Sequence, residues 1–173
     1  MWYVVQVQAC HEHEIVKKCQ RIVKDNEEVF TMRTERMERI NGEWEAVLSV
    51  TFQKYVFVDT TDPENFWLRL HGIPGLTKLL TVGDEIVAVY PEEERVLRLL
   101  GGDDHIIGRS VVHKEGDHVT VISGALVGLE GLVRWVDKRQ RWVRIAVRIG
   151  DRETLIKLSA EFVRPSEKKL LSP

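Results

Sequence analysis

The chain has 173 residues and a mass of 20.0 kDa, which predicts one large domain or two small ones. An apolar content of 43% and a charged content of 30% are ordinary for a soluble globular protein. No apolar run reaches the length of a transmembrane helix, and no secretory signal opens the chain. Two cysteines, Cys10 and Cys19, give no disulfide framework, so we expect a cytoplasmic protein without contact to a membrane.

The formal net charge of −2 conceals an uneven distribution of charge along the chain. Residues 1–110 carry 13 basic and 19 acidic side chains, a net charge of −6. Residues 111–173 carry 12 basic and 8 acidic side chains, a net charge of +4. A basic unit that follows an acidic one predicts that a polyanionic partner binds the C-terminal part.

The first fifty residues predict a strand, a helix and a hairpin. Trp2–Val7 is apolar at nearly every position, which is typical of a strand covered on both faces. Glu12–Lys24 carries one apolar stripe at helical spacing. Thr34–Ile40 and Glu43–Val50 predict paired strands, because the Asn41-Gly42 dipeptide between them favours a type I′ turn.

The next fifty residues predict one more strand and two helices. Tyr55–Val58 is a short apolar strand, and Asp62 is the expected N-cap of a helix that ends at Gly72. A third helix is expected over about Glu92–Leu100. Residues 1–100 are therefore predicted to form an α/β sandwich, a mostly antiparallel sheet flanked by helices.

The rest of the chain predicts a linker followed by an all-β unit. Gly101–Ser110 has three glycines and no sustained period, so we expect it to be exposed and mobile. From Val111 onward the pattern predicts a small barrel, which makes the chain α+β as a whole. Its five expected strands are Val119–Ile122, Gly131–Trp135, Trp142–Ile149, Glu153–Leu158 and about Glu161–Arg164.

Signals for an enzyme are weak. Cys10, His11, His13 and Cys19 lie close in sequence, but a zinc site usually needs a second ligand pair further on. The acidic run Glu92–Glu94 opens a helix, where the helix dipole stabilises carboxylates. No nucleophile elbow, Walker sequence or dinucleotide fingerprint is present. We therefore expect no catalytic residue, metal or cofactor, and a metal-dependent enzyme using Cys10, His11 and His13 is the rival that metal analysis would test.

A glycine-rich segment runs from Gly116 to Val133. It is not a phosphate-binding loop, because strands rather than a helix follow it and no Lys-Ser or Lys-Thr pair is present. Glycine at these spacings favours a tightly curved hairpin, since it adopts positive φ and lets backbones approach closely. The motif residues are Gly116, Asp117, Val119, Val121, Gly124, Leu126, Gly128 and Gly131.

This segment resembles the KOW motif of NusG-type transcription elongation factors. The N-terminal Trp2-Tyr-Val-Val-Gln6 resembles the first strand of the NusG N-terminal domain. The resemblance covers nearly the whole chain and implies three parts. These are a NusG N-terminal domain over residues 1–100, a linker over residues 101–110, and a five-stranded SH3-like barrel, the KOW domain, over residues 111–173.

The resemblance also implies a surface for RNA polymerase. In this family, aromatics of the N-terminal domain bind the clamp of the largest polymerase subunit, and the domain bridges the cleft above the DNA, which makes non-template DNA a further partner. The chain departs from the family at Gln53-Lys54, where Pro-Gly is usual. The residues that match the polymerase-binding aromatics are Trp2, Phe52, Tyr55 and Phe57.

A basic hairpin in the C-terminal part predicts RNA binding. Strand alternation places Trp142, Arg144 and Ala146 on one face, and Val143, Ile145 and Val147 on the other face, in the barrel. Guanidinium groups pair with phosphates, and an indole stacks on a base. The alternative is a solvated charged surface in which Trp135 and Trp142 cover the core. The residues predicted to bind RNA are Arg134, Lys138, Arg139, Arg141, Trp142, Arg144 and Arg148.

Two departures favour a specialised member of the family. The general factor has Pro-Phe, which contacts a ribosomal protein, where this chain has Ala125-Leu126. The basic hairpin is also richer than expected, which resembles the LoaP group of antiterminators that bind a hairpin in a leader RNA. We expect a monomeric antitermination factor. The alternative is a general NusG that couples polymerase to the ribosome or a termination factor, and a leucine at position 126 keeps it open.

Overall fold

The structure is a computed structural model that describes residues 1–76, 86–150 and 152–164. It combines α-helices and β-strands in three sheets. The helices are α1 (Glu12–Cys19), α2 (Pro63–His71) and α3 (Pro91–Gly101). The strands are β1 (Trp2–Gln6), β2 (Glu28–Phe30), β3 (Arg33–Ile40), β4 (Glu43–Val50), β5 (Tyr55–Asp59), β6 (Ile86–Ala88), β7 (Ile106–Ile107), β8 (Ser110–Glu115), β9 (His118–Ser123), β10 (Val133–Asp137), β11 (Trp142–Ile149) and β12 (Arg152–Phe162).

The N-terminal sheet has the strand order β2-β5-β1-β6 and is antiparallel throughout. Because side chains alternate along a strand, β5 directs Val56 and Val58 to one face and Phe57 to the other. The first face packs on α1 and α2 through residues such as Ile15 and Phe66. The second face packs toward α3 and β7. Both faces of the sheet are therefore covered, as the apolar first strand predicted.

The predicted hairpin is confirmed. Strands β3 and β4 pair from Arg33↔Val50 to Ile40↔Glu43, and Asn41 and Gly42 form the turn with φ values of 52° and 90°. Positive φ at both central positions is the signature of a type I′ turn, which Asn-Gly adopts at low cost. The hairpin belongs to a separate three-stranded sheet of order β4-β3-β7.

The helices begin where their sequences predicted and differ in where they end. Asp62 caps α2, because its Oδ1 accepts a hydrogen bond from the backbone N–H of Asn65 at 3.1 Å, and Gly72 follows the last turn. Helix α1 ends at Cys19, five residues before the expected Lys24. After Cys19 the chain tightens into turns, in which the N–H groups of Ile22 and Val23 both donate to the Cys19 carbonyl.

The C-terminal sheet has five strands in the order β10-β11-β12-β8-β9. Strands β11 and β12 pair over their length, and β12 also pairs with β8 in parallel. Val143, Ile145 and Val147 of β11 are buried, as alternation predicted, but Ala146 of the opposite face is buried as well. The outer strands β9 and β10 do not pair in the part of the chain described, so the sheet is open, in keeping with an SH3-like half-barrel.

The segment Gly101–Ser110, which we expected to be exposed, is exposed only at residues 102–104 and Arg109, and the rest of it packs into the fold. Ile106–Ile107 forms β7, which adds to β3 in parallel, and Ile107 is fully buried. Ser110 is also buried, because it opens β8, a strand absent from the sequence interpretation. A two-residue strand is too short to produce a period, so periodicity did not predict β7. The two last predicted strands are one continuous strand, β12.

The N-terminal and C-terminal halves share one apolar core. Leu97 and Leu100 of α3 belong to the same buried cluster as Val147 and Ile149 of β11. At the β11–β12 turn, the N–H of Gly150 donates to Glu93 Oε2 at 2.8 Å. A Cβ at Gly150 would lie 2.6 Å from Val87 Cγ1, so the turn packs directly on β6. The domain limits 1–100 and 111–173 stay predictions.

Candidate nucleic-acid interface

The predicted basic hairpin is formed by β10 and β11, with its turn at residues 138–141. Asp137 pairs with Trp142 at the base of the turn, and the Gln140 N–H donates to Asp137 Oδ1 at 2.8 Å. Arg141 has a φ of 56°, which is uncommon for a residue with a side chain. The hairpin presents six exposed cations, Arg134, Lys138, Arg139, Arg141, Arg144 and Arg148.

Most of this positive charge is not neutralised by protein. Lys138 donates to the Lys114 carbonyl at 3.0 Å, and Arg134 donates to the Gly131 carbonyl at 2.8 Å. Both acceptors are neutral backbone groups, so these hydrogen bonds do not neutralise the positive charge. Within the described ranges, no carboxylate forms an ion pair with Arg139, Arg141 or Arg144. Clustered cations without acidic partners raise the local potential and attract polyanions.

Trp142 is half-buried among these cations. Its indole Nε1 donates to Gln140 Oε1 at 2.7 Å. The Arg144 guanidinium carbon lies 5.3 Å from the indole centroid and the Lys157 Nζ lies 4.6 Å from it. Lys157 is a cation that sequence reasoning missed, although it pairs with Arg144 across β11 and β12. Sequence distance hid it, since cross-strand neighbours are found only once the register is known.

The glycines of the KOW-like motif shape the other end of the same sheet. Gly116, Gly124 and Gly128 have φ values of 59°, 95° and 76°, in the region that glycine adopts most easily. A Cβ at Gly124 would lie 2.3 Å from the Arg109 carbonyl oxygen, so no side chain fits there. Gly131 instead lies in a short 3₁₀ turn with open space around it.

Four side chains of the motif divide between core and surface. Val121 is buried, Val119 is half-buried, and Asp117 is exposed. Leu126 is fully buried, and its N–H donates to Ser110 Oγ at 3.0 Å. The leucine at position 126 therefore fills this protein's own core.

The predicted polymerase-binding aromatics do not form an exposed face. Trp2, Phe52 and Phe57 are buried, with Trp2 at 1% exposure, so they lie in the core of the protein, and their role in polymerase binding stays a prediction. Phe57 stacks on Phe30 with centroids 5.5 Å apart, and Trp2 and Phe52 meet Phe57 edge-on at 5.9 and 5.7 Å. The physical reason is that α3 and β7 cover this face of the N-terminal sheet, which single-strand alternation does not reveal.

Asp59 holds Trp2 in this core. Its carboxylate accepts hydrogen bonds from the indole Nε1 at 3.1 Å, from the N-terminal ammonium at 3.0 Å and from Arg98 at 2.9 Å. The Arg98 guanidinium carbon also lies 4.5 Å from the Trp2 ring centroid. Burial alone raises the pKa of Asp59, but these hydrogen bonds outweigh it, so the pKa lies below its ordinary value.

Tyr55 is the one predicted aromatic that stays partly exposed. It lies beside a cavity of about 350 Å³ whose opposite wall is formed by Thr154–Lys157 of β12. The preceding Lys54 has a φ of 70°, the conformation that the family's glycine would take. The Lys54 N–H donates to the buried Glu12 carboxylate at 2.6 Å, which stabilises that conformation. The Gln53-Lys54 departure therefore keeps the backbone turn.

The cysteine and histidine cluster does not assemble. Cys10 is exposed, whereas Cys19 is buried and burial raises the pKa of its thiol to about 12. In the described ranges, no group of three or more His, Cys, Asp or Glu side chains is placed to hold a metal ion. Across these ranges no helix has both the length and the apolar composition needed to span a membrane.

Comparison with known proteins places this arrangement in a class of transcription factors. The family model "NusG: Transcription termination factor nusG" matches residues 1–98, which is more than half of the chain. The chain belongs to the NusG family.

One relative and one solved structure are also similar to this chain. The transcription termination/antitermination protein NusG of Thermus thermophilus is 27% identical over 172 residues, covering 91% of this chain and 94% of that protein. A solved structure described as domain interaction in Thermotoga maritima NusG is 18% identical, with a TM-score of 0.48. That alignment covers 91% of this chain and 92% of the other.

Proposed function

We propose that this protein is a specialised NusG-type processive antitermination factor. Its N-terminal domain binds RNA polymerase, and its C-terminal KOW domain, a five-stranded SH3-like unit, binds a hairpin in a leader RNA. The observation that carries the proposal is the cluster of exposed cations around Trp142, in which Arg139, Arg141 and Arg144 have no acidic partner in the described ranges. No catalytic step or cofactor is part of this function.

The charge and geometry of the hairpin support RNA as the ligand of the C-terminal part. Arginine pairs with phosphate oxygens through two parallel hydrogen bonds, and a half-exposed indole offers a face to a base. Arg144 and Lys157 already lie against Trp142, so phosphate and base contacts would converge on one spot. Sequence-specific proteins usually recognise unpaired RNA bases, because side chains cannot read the deep, narrow major groove of an RNA duplex.

The first experiment removes the charge of the hairpin. Lys138, Arg139, Arg141 and Arg144 are changed together to alanine in the full chain, and RNA binding is measured by fluorescence anisotropy at several salt concentrations. We expect binding to be nearly lost and the log–log salt slope to fall by about 0.9 for each phosphate contact removed. Thermal unfolding should stay close to that of the wild type, because these side chains are exposed.

A matched variant controls for net charge. Lys17, Arg21, Lys24 and Arg33 are also exposed cations, but they lie in the N-terminal part, and their replacement by alanine changes the charge by the same amount. We expect this variant to bind RNA as the wild type does. Equal loss of binding in both variants would mean that RNA responds to overall charge, and the hairpin would not be the RNA site.

The general NusG function is the second candidate, with the ribosome or a termination factor as partner. In vitro transcription through a terminator, with and without the leader RNA, separates the two. A specialised factor increases read-through only when the leader is transcribed, whereas a general factor acts equally on both templates. The burial of Leu126 favours the specialised function, because the position that contacts a ribosomal protein in the general factor is here part of the core.

Polymerase binding is tested at Tyr55, because the neighbouring predicted aromatics are buried. We expect Tyr55→Ala to weaken polymerase binding by about 2 kcal/mol if this ring is an interface anchor, and to leave RNA binding unchanged. Co-purification with core polymerase and RNA anisotropy on the same protein give the two readouts. A folded Tyr55→Ala protein that binds polymerase normally would remove Tyr55 from the interface.

A further inference from the structure

A cleft lies between the β3–β4 hairpin and the C-terminal sheet. Its volume is about 290 Å³, close to the lower end of the roughly 300–1,000 Å³ common for ligand sites. Arg36 and Trp44 line it from the N-terminal hairpin, and Arg141, Trp142 and Lys157 line it from β11, β12 and their turns. We call this space the hairpin cleft.

The lining of the hairpin cleft is aromatic and basic. Trp44 is 58% exposed, which is a large fraction for an indole. It belongs to neither of the two buried apolar clusters in the part of the chain that the structure describes. Arg36, Arg109, Arg141 and Lys157 supply four cations, against two carboxylates from Glu38 and Glu161. The cleft therefore offers two indoles for stacking and a net positive wall.

Single-stranded nucleic acid is the ligand that this chemistry fits. Proteins bind unpaired strands with cations that follow the backbone and aromatic rings on which bases stack. A paired duplex keeps its bases stacked on each other, so it has no free base to place between two indoles. The size of the cleft suits one base rather than a helix or a folded peptide, because it is small and open toward the basic hairpin.

We infer that the hairpin cleft binds an unpaired nucleotide of the RNA held by the basic hairpin, with Trp44 and Trp142 as the stacking residues. The inference rests on the proposed function and adds a contribution from the N-terminal half. Arg36 and Arg109 bind the phosphates on either side of that nucleotide. RNA recognition thereby uses both halves of the chain rather than the KOW domain alone.

Binding by the full chain tests the energetic role of the cleft. The probe is a fluorescein-labelled, unstructured RNA of twelve nucleotides, compared with a blunt RNA duplex and with DNA of the same sequence. Because one stacked base contributes at least about fivefold in affinity, Trp44→Ala should weaken single-stranded RNA binding by that factor or more, and Arg36→Ala should weaken it as well. Trp44→Phe should retain most of the affinity, and duplex binding should not change.

Two variants on the same hairpin serve as matched controls. Arg39 is an exposed arginine of β3, and Leu48 is an exposed apolar residue of β4, and neither lines the cleft. Arg39→Ala and Leu48→Ala should bind the single-stranded RNA as the wild type does. A second measurement locates the base directly, since 4-thiouridine in the probe should cross-link to peptides from residues 36–44 as well as from residues 138–144.

The outcomes separate the cleft from the proposed function. If the basic-hairpin variant loses RNA while Trp44→Ala binds normally and cross-links stay in the C-terminal part, the cleft inference is overturned and the proposed function stands. If the wild type binds no RNA, both fail. Tighter binding of the DNA than of the RNA would overturn the assignment of RNA to the cleft.

Discussion

Two aromatic regions of this molecule differ in what surrounds them. Trp2, the first residue of β1, packs edge-on against Phe30 and Phe57 and has almost no solvent exposure. At the hairpin cleft, Trp44 and Trp142 face an open cavity lined by cations. Both regions carry tryptophan on a strand, yet one belongs to the core and the other lies at the surface.

An aromatic residue on a strand belongs to the core or to the surface according to whether another element of the fold packs over that face of the strand. β1 lies inside a sheet with α1 and α2 on one face and α3 on the other, so both faces of β1 are buried. β4 is the outer strand of a hairpin sheet, so one edge and part of its faces remain open. Substitutions in the two regions should therefore differ in how much they destabilise the fold.

Truncating the two tryptophans should give opposite results in stability. Trp2→Ala should lower the free energy of unfolding by about 3–5 kcal/mol, because it leaves a cavity and removes the Asp59 and Arg98 contacts. Trp44→Ala should change it by less than about 0.5 kcal/mol, because its indole is mostly in solvent. Urea unfolding of both variants measures the difference, and similar losses for the two would contradict the assignment of core and surface.

Two glycines of the KOW-like motif should also differ in the effect of an added side chain. Gly124→Ala should destabilise the C-terminal sheet by about 3 kcal/mol or more, since it adds a backbone clash with Arg109 to the strain of a positive φ. Gly128→Ala has a positive φ but open space around it, so we expect a loss of about 1 kcal/mol. Thermal unfolding compares them, and a larger loss at Gly128 would show that the close approach at Gly124 is not what matters.

The smallest effect concerns the carboxylate that holds Trp2. Because the folded pKa of Asp59 is below its unfolded value, its contribution is complete above the ordinary carboxyl pKa near 3.8 and is lost as pH falls below it. Asp59→Asn should therefore be less stable than the wild type at pH 7, and the two should converge between pH 4 and pH 2. Urea unfolding across this range checks it, and a constant difference at all pH values would exclude ionisation as the cause.

Local signals predicted much of the N-terminal fold. The Asn41-Gly42 turn and the Asp62 cap are where the sequence placed them, because turn and cap chemistry depends on adjacent residues. The buried face of β11 was also predicted, since alternation over eight residues is a strong pattern.

The interpretation failed where distant segments meet. The burial of Trp2 and Phe57 depends on α3 and β7, more than thirty residues further along the chain. The hairpin cleft joins residues 36, 44, 109, 142 and 157, which no periodicity connects. β8 was missed because it follows a glycine-rich stretch; it pairs with the next strand, β9, and also with the distant β12.

The place of Ser110 has a practical consequence for anyone who divides this protein. A C-terminal fragment that starts at Val111 would discard the hydroxyl that accepts the Leu126 N–H and the Arg109 carbonyl that packs on Gly124. It would also shorten the parallel pairing of β8 with β12, in which Ser110 lies beside Ala160. A cut within the exposed Asp103-Asp104 turn keeps all three, so an isolated C-terminal half is best begun there.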